Sequence, residues 1–165
     1  RKESSAASDV YKRQVIMGRN TWLSIPLKNR PLPKRENIVL TSKVENMLFK
    51  NKDGVNFAPS LNSVEVVYGP HNFDNIWIIG GESLYIETLE GNLMDTILHT
   101  EIHSDYQCDN FCPELQNNFS NIYESQIIYD CNEEIRFKVY KRDGSTISNN
   151  KLKKMSIRAE KKALY

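Results

Sequence analysis

Short apolar runs alternate along this chain with stretches of helical pattern. The most constraining example is Ile76–Ile79, an uninterrupted apolar run that leads through Gly80–Gly81 into a helical pattern from about Ser83 to Glu90. Such a run is typical of a central strand covered on both faces, and a strand that leads into a helix is typical of a parallel sheet. Further strands are expected at residues 15–17, 37–41 and 55–57, and helices at 19–24 and from a Pro59–Ser60 cap to Val67. The alternation predicts an α/β fold with a mostly parallel sheet.

The pattern changes in the second half of the chain. Asp95–His103 alternates like a half-buried strand, and two further candidate strands, Ile122–Ile128 and Ile135–Lys141, are separated by a loop. Two neighbouring strands of this kind predict an antiparallel hairpin. We therefore expect the mostly parallel sheet to end in an antiparallel edge.

Basic residues are unevenly distributed. The chain has 165 residues, 39% of them hydrophobic, and a net charge of +1. Residues 1–14 carry +2 and residues 143–165 carry +4, so residues 15–142 carry −5. Within that middle segment, eight of the twelve basic residues lie between Arg19 and Lys52. This cationic sector favours a small polyanionic ligand over a nucleic acid. No apolar run approaches the roughly 20 residues that cross a membrane.

The two ends differ in character from the middle. Residues 1–14 (RKESSAASDVYKRQ) have no periodicity, and DVYKRQ matches one reading frame of a transposon adapter, so we expect a cloning or assembly scar; a natural disordered leader is the alternative. Residues 143–165 begin with a turn-rich stretch and continue as a basic segment in which Leu152, Met155 and Ala159 share a helical face. This composition predicts a solvated tail or linker. The domain itself is expected at residues 15–142.

Neither the histidines nor the cysteines indicate a metal site. Two histidines share one face of the strand Asp95–His103 but lack a third ligand motif, and the cysteines form no paired C-x-x-C units. Free thiols predict a reducing compartment, here the cytoplasm. The residues concerned are His71, His99, His103, Cys108, Cys112 and Cys131.

Two turns that connect a strand to a helix can receive anions. Gly80–Gly81 and Gly18–Thr21 both follow an apolar run, where free amides at a helix start favour negative charge. Two such turns suggest a ligand with several phosphates, such as a dinucleotide, although each glycine taken alone is equally compatible with a simple tight turn. Arg35, between a turn-rich segment and a strand, is either a surface residue or a bidentate partner of a carboxylate.

Four blocks of sequence resemble dihydrofolate reductase. They are Met17–Pro26 (MGRNTWLSIP), Arg30–Leu40 (RPLPKRENIVL), Ile76–Tyr85 (IWIIGGESLY), and Thr100–Ile102 (TEI) with Asp105–Pro113 (DYQCDNFCP). The resemblance runs from Val15 to about Arg142. It implies a three-layer α/β fold with a mostly parallel central sheet and an antiparallel C-terminal hairpin. It also implies the NADPH-dependent reduction of 7,8-dihydrofolate to 5,6,7,8-tetrahydrofolate in one-carbon metabolism, with dihydrofolate and antifolates as ligands.

The resemblance assigns residues to a cofactor site. Gly18–Thr21 match the family turn that meets the phosphates of NADPH, Thr41–Lys43 match the strand end that receives the adenosine 2′-phosphate, and Gly80–Tyr85 match a second phosphate turn whose Gly-Gly peptide is cis. The cofactor residues are Gly18, Arg19, Asn20, Thr21, Thr41, Ser42, Lys43, Gly80, Gly81, Glu82, Ser83, Leu84 and Tyr85.

A substrate site is assigned in the same way. Arg35 matches the arginine that binds the α-carboxylate of the substrate's glutamate, Ile79 matches the residue whose carbonyl meets the pterin, and Thr100 matches the hydroxyl that orients the catalytic acid. The substrate residues are Ser24, Ile25, Asn29, Leu32, Arg35, Ile79, Tyr85 and Thr100.

The sequence departs from the family before Val15. There the family has a strand, a mobile loop over the nicotinamide and a helix whose one acidic residue promotes protonation of the pterin, a contribution typically worth about two to four powers of ten in rate. We expect an N-terminally truncated copy of a parent reductase, without the first strand and the general acid, and therefore inactive. No catalytic residue is assigned in this chain.

Two other functions remain open from the sequence. One is a pyrimidine reductase of riboflavin synthesis with a similar fold, which Arg35 and the TWLSIP block disfavour. The other is a non-catalytic nucleotide-binding module within a fusion protein. Because some lineages join this reductase to thymidylate synthase, such a domain after Tyr165 is a further expectation.

Overall fold

The computed structural model describes residues 13–43, 54–68, 75–115, 117–130 and 132–163. Contacts along the backbone divide the chain into two compact units, residues 1–85 and 86–165. The first unit contains strands β1 Arg13–Gly18, β2 Glu36–Leu40, β3 Val55–Ala58 and β4 Asn75–Ile78, helices α1 Arg19–Ser24 and α2 Leu61–Tyr68, and a 3-10 turn at Leu27–Asn29. Helix α3, Glu82–Glu90, crosses the boundary between the units.

The first unit is built on a parallel sheet with strand order β3-β2-β1-β4. Every pairing in it is parallel, with Ile16 opposite both Ile38 and Ile78. This confirms the α/β prediction. The expectation that Ile76–Ile79 forms a central strand is wrong for the described residues, because β4 lies at an end of the sheet and Ile76 is 50% exposed. An apolar run reports that side chains are covered, and it does not report whether both backbone edges of the strand are paired.

Alternate side chains of this sheet enter two different cores. On one face, strand residues pack against α2 and the start of α3; this cluster contains Ile16, Ile38, Leu61, Val64 and Leu84. On the other face, strand residues pack against α1 and the segment that follows it; this cluster contains Val15, Met17, Val39 and Val55, with Trp22, Ile25 and Leu32 against it. The sheet therefore has packed layers on both faces within this unit.

Local sequence explains where the elements begin. At the start of α2, the Ser63 N–H donates to the Ser60 Oγ at 3.3 Å and the Ser60 N–H donates to the Ser63 Oγ at 3.1 Å, so the predicted cap at Ser60 is confirmed. Strand β1 begins at Arg13, and Gln14 is fully buried with its Nε2 donating to Glu36 at 3.0 Å. Residues 1–12 lie outside the described residues, and the origin of residues 1–14 stays a prediction.

The second unit is built on an antiparallel sheet. Strands β5 Thr96–Ile102, β8 Glu133–Arg142 and β6 Phe119–Glu124 lie in that order, and the short strand β7 Ile128–Asp130 also pairs with β8. The predicted hairpin is confirmed, but its first arm is divided into β6 and β7. A separate antiparallel sheet takes the place of the expected antiparallel edge.

The predicted tail contains the last helix of the chain. Helix α4, Asn149–Ala163, lies against β8, with Leu152 buried and Met155 half-buried. This confirms part of the predicted apolar stripe, while the side chain of Ala159 lies outside the described residues. In the part of the chain that the structure describes, no helix is both long enough and apolar enough to cross a bilayer.

Candidate functional site

The turns that follow β1 and β4 meet at one edge of the parallel sheet. Because the strands are parallel, their carboxyl ends share an edge, where ligands of α/β sheets commonly bind. There the Gly18 N–H donates to the Gly80 carbonyl oxygen at 2.7 Å, and the Ile79 N–H donates to the Ile16 carbonyl oxygen at 3.0 Å. The two anion-friendly turns predicted from the sequence are therefore brought together by backbone hydrogen bonds.

Side chains leave little room around the glycine pair. Gly80 has a φ of +113°, and a Cβ placed on it would lie 3.5 Å from the Tyr85 hydroxyl and 3.6 Å from the Thr21 Oγ1. A Cβ on Gly81 would lie 3.4 Å from the same Thr21 oxygen. The peptide between the two glycines is cis, as the resemblance implies. The result is a stretch of bare backbone with two hydroxyl groups beside it.

The start of α3 adds amide groups at this edge. The Gly81 carbonyl oxygen accepts hydrogen bonds from the N–H groups of Leu84 at 3.0 Å and Tyr85 at 3.1 Å, which closes the first turn of the helix. The N–H groups that precede these have no acceptor within a helix and carry partial positive charge. Glu82 places one acidic side chain in the same turn, while Ser83, Arg19 and Asn20 are exposed.

The carboxyl end of β2 forms a tight turn. Thr41 is buried, its N–H donates to the Ala58 carbonyl oxygen at 2.9 Å, and its Oγ1 accepts a hydrogen bond from the Lys43 N–H at 3.2 Å. Ser42 and Lys43 are exposed. The turn thus holds one hydroxyl inside and presents a second hydroxyl and an ammonium group to solvent.

Several predicted substrate residues share the face of the sheet on which α1 lies. Ile25, Leu32 and Ile79 are half-buried and pack against the same core cluster. Ser24 is exposed and its Oγ donates to the Thr21 carbonyl oxygen at 2.8 Å, and Asn29 is exposed in the 3-10 turn. The structure therefore brings these five residues to one face, as an apolar wall with polar groups near it.

Arg35 is exposed in the turn before β2. Its Nε donates to the Pro33 carbonyl oxygen at 3.1 Å, and among the described residues no carboxylate lies at ion-pair distance from it. The two Nη groups are therefore the part of the guanidinium that can take an external carboxylate in a bidentate pair.

Two contacts near this turn were not anticipated from the sequence. The Arg30 guanidinium stacks over the Trp22 ring at 5.3 Å and donates from Nη1 to the Trp22 carbonyl oxygen at 3.1 Å. Asn37 is fully buried and hydrogen-bonds the backbone of the Leu32–Arg35 segment. A polar residue at the start of an otherwise apolar strand was the available signal for Asn37.

Thr100 lies in the second unit. It is exposed on β5, opposite Phe137 of β8. Its predicted role beside a catalytic acid stays a prediction.

The opposite face of β5 carries an ion pair. The Glu101 carboxylate lies 2.8 Å from the Lys138 ammonium group and 3.4 Å from the His103 imidazole. The hydrogen bond from Lys138 lowers the pKa of Glu101, and the same bond raises the pKa of Lys138. Over the described ranges, no three His, Cys, Asp or Glu side chains group as metal ligands. His71 and Cys131 lie outside the described residues, while Cys108 and Cys112 are exposed free thiols.

The family model for dihydrofolate reductase matches residues 8–142. The chain belongs to the dihydrofolate reductase family. All residues assigned above to the two sites, from Gly18 to Thr100, lie within the matched range of this family. The resemblance carried by the four sequence blocks is thereby confirmed.

Named relatives agree with the family model. The dihydrofolate reductase of Heliothis virescens is 36% identical over 134 residues, which are 78% of this chain and 72% of that protein. The dihydrofolate reductase of Aedes albopictus is 28% identical over 138 residues, or 79% of this chain and 74% of that protein. A bifunctional dihydrofolate reductase-thymidylate synthase of Plasmodium berghei is 34% identical over 134 residues, 78% of this chain and 23% of the relative.

Proposed function

We propose that the protein reduces 7,8-dihydrofolate to 5,6,7,8-tetrahydrofolate with NADPH, in one-carbon metabolism. The observation that carries the proposal is the junction of the Gly18 and Gly80 turns at the carboxyl edge of the parallel sheet, in a chain of the dihydrofolate reductase family. The family membership supports this reaction over the pyrimidine reductase and over the non-catalytic module.

The residues at this edge are compatible with a dinucleotide. The bare backbone of Gly80–Gly81, which side chains at these positions would fill, leaves space for phosphate oxygens, and the first N–H groups of α3 supply partial positive charge. Arg19, Thr21 and the turn Thr41–Lys43 would add hydrogen-bond donors, with Lys43 assigned to the 2′-phosphate. NADPH, when bound, supplies the hydride for the reduction. The full proposed set is Gly18, Arg19, Asn20, Thr21, Thr41, Ser42, Lys43, Gly80, Gly81, Glu82, Ser83, Leu84 and Tyr85.

The substrate would lie on the face with the apolar wall. Ile25, Leu32 and Ile79 cover the aminobenzoyl and pterin rings and exclude water, while the free Nη groups of Arg35 grip the glutamate α-carboxylate. Ser24, Asn29, Tyr85 and Thr100 complete the proposed substrate set. We assign no proton donor among the described residues.

Equilibrium binding of NADPH and NADH to the chain tests the cofactor assignment. Lys43→Ala should weaken NADPH binding by about 3- to 30-fold, because it removes one charged donor to an exposed phosphate. NADH lacks the 2′-phosphate, so its binding should stay the same. Lys28→Ala is the matched control, because it removes the same charge from an exposed lysine in the 3-10 turn. Equal losses for NADPH and NADH, or for the two lysine variants, would overturn the assignment.

A direct assay tests the reaction itself. The purified chain is mixed with NADPH and dihydrofolate, and the loss of NADPH absorbance is followed with and without an antifolate. Oxidation that depends on dihydrofolate and stops with the antifolate is expected. Binding of neither ligand would refute the proposed function for this chain.

The compartment and a fused partner are further parts of the proposal. Exposed free thiols at Cys108 and Cys112 are compatible with the reducing cytoplasm. Relatives named as bifunctional reductase-synthases, such as those of Plasmodium berghei and Daucus carota, support a thymidylate synthase domain in the same polypeptide. Reading the coding frame beyond residue 165 tests this directly.

A further inference from the structure

One buried side chain fastens the segment that carries Arg35. The Asn37 Oδ1 accepts a hydrogen bond from the Leu32 N–H at 3.0 Å, and the Asn37 Nδ2 donates back to the Leu32 carbonyl oxygen at 3.0 Å. The same Nδ2 lies 3.1 Å from the Arg35 carbonyl oxygen and 3.2 Å from that of Gly54. Asn37 is fully buried. It therefore serves Leu32 as a neighbouring strand would, and it ties both ends of the segment Leu32–Arg35 to the sheet.

The segment needs this support because its own conformation is unusual. Lys34, in its middle, has a φ of +58°, in the left-handed region that non-glycine residues seldom adopt. The Arg35 side chain is exposed and its Nε is bonded only to Pro33 within the same turn. The hydrogen bonds of Asn37 are thus the contacts that fix the Arg35 backbone relative to β2.

We propose that Asn37 is a positioning residue for the carboxylate end of the folate substrate, acting through Arg35. The inference rests on the proposed function, in which Arg35 binds the glutamate α-carboxylate. A bidentate pair between guanidinium and carboxylate requires a fixed fork geometry, and a displacement of about 1 Å is enough to cost up to about a hundredfold. Asn37 makes no contact with the ligand in this scheme.

The test compares two ligands that differ only in the glutamate. Folate carries it, whereas pteroate has the same pterin and benzoyl groups without it. Asn37→Ala should weaken folate binding by about 10- to 100-fold and leave pteroate binding within about twofold. In an Arg35→Ala background the same change should add no further loss, because the residue through which Asn37 acts is gone. Asn56→Ala is the control, a change of the same residue type in the adjacent strand β3, where the amide bonds Glu36 instead.

Equal weakening of folate and pteroate, or additive losses in the double variant, would overturn the proposal. Amide hydrogen exchange separates its failure from failure of the proposed function. Asn37→Ser, a milder change, should speed exchange of the Leu32 N–H and leave the Gly18 N–H, bonded to Gly80, unchanged. If the unmodified chain binds no folate, the proposed function fails, and unchanged exchange at Leu32 would then also reject Asn37 as the anchor of the segment.

Discussion

Replacing Gly80 by alanine tests whether the turn after β4 requires a residue without a Cβ. The Gly80 φ of +113° is a conformation that L residues rarely adopt, and holding one there costs about 1–3 kcal/mol. The nearest neighbours of an added Cβ would be the Tyr85 hydroxyl at 3.5 Å and the Thr21 Oγ1 at 3.6 Å, which are ordinary contacts. The predicted loss therefore comes from the backbone conformation and not from a collision.

We expect Gly80→Ala to lower the free energy of unfolding by about 1–3 kcal/mol, at roughly 2–4 °C of melting temperature for each kcal/mol. Urea unfolding followed by tryptophan fluorescence measures it, since Trp77 packs against the core beside this turn. Gly81→Ala is the control. Gly81 lacks a positive φ, and its Cβ would lie 3.4 Å from the Thr21 Oγ1. Its stability should therefore change by less than about 0.5 kcal/mol.

The two variants should separate differently in a binding assay. Gly81→Ala adds a methyl group to the bare backbone proposed to receive a phosphate, so it should weaken NADPH binding at nearly unchanged stability. A Gly80→Ala chain as stable as the original, or a Gly81→Ala chain equally destabilised, would refute the argument from backbone conformation.

Three further outcomes are expected. Met17→Ala, at a fully buried position, should destabilise the chain by about 2–5 kcal/mol in urea unfolding; a loss below about 1 kcal/mol would show that the core is not packed as described. Glu101→Gln should lower the melting temperature at neutral pH, because Lys138 lowers the pKa of Glu101. The stabilisation is present above its ordinary value of 4.5 and is lost as the pH falls through the lowered value, so the two melting curves should converge in acid. Cys108 and Cys112 are exposed thiols, so both should react with an alkylating reagent in the native chain, as mass spectrometry of peptides would show.

Periodicity predicted the elements of the first unit because each strand has one clear pattern. Strands β1 and β2 carry apolar residues on both faces, and a glycine or polar turn ends each of them, so their existence and order follow from the sequence. The edge position of β4 did not, because backbone pairing leaves no trace in side-chain hydrophobicity. The interruption between β6 and β7 escaped for a similar reason. There Ser125 keeps both its N–H and its Oγ on Phe137, which mimics continued pairing.

The candidate site was predictable as separate turns and not as a junction. Glycines after two apolar runs indicate two anion-friendly turns, but the hydrogen bond from Gly18 to Gly80 depends on β1 and β4 being neighbours. Asn37 was missed because a single asparagine at a strand start is ambiguous. Only the tertiary structure shows that its amide bonds a segment up to five residues before it.

Polar groups serve opposite purposes at the two edges of the parallel sheet. At the amino edge, the buried Glu36 carboxylate accepts hydrogen bonds from Gln14 of β1 and Asn56 of β3, so one acceptor joins three strands. At the carboxyl edge, Gly18 and Gly80 expose backbone instead. Because a strand rises about 3.3 Å per residue, Glu36 lies about 13 Å along β2 from Leu40, at the end where the proposed ligands bind. That separation is beyond the hydrogen-bond reach that proton transfer requires. Glu36 is therefore a structural carboxylate, and its substitution by glutamine should lower stability without changing the relative affinities for folate and pteroate.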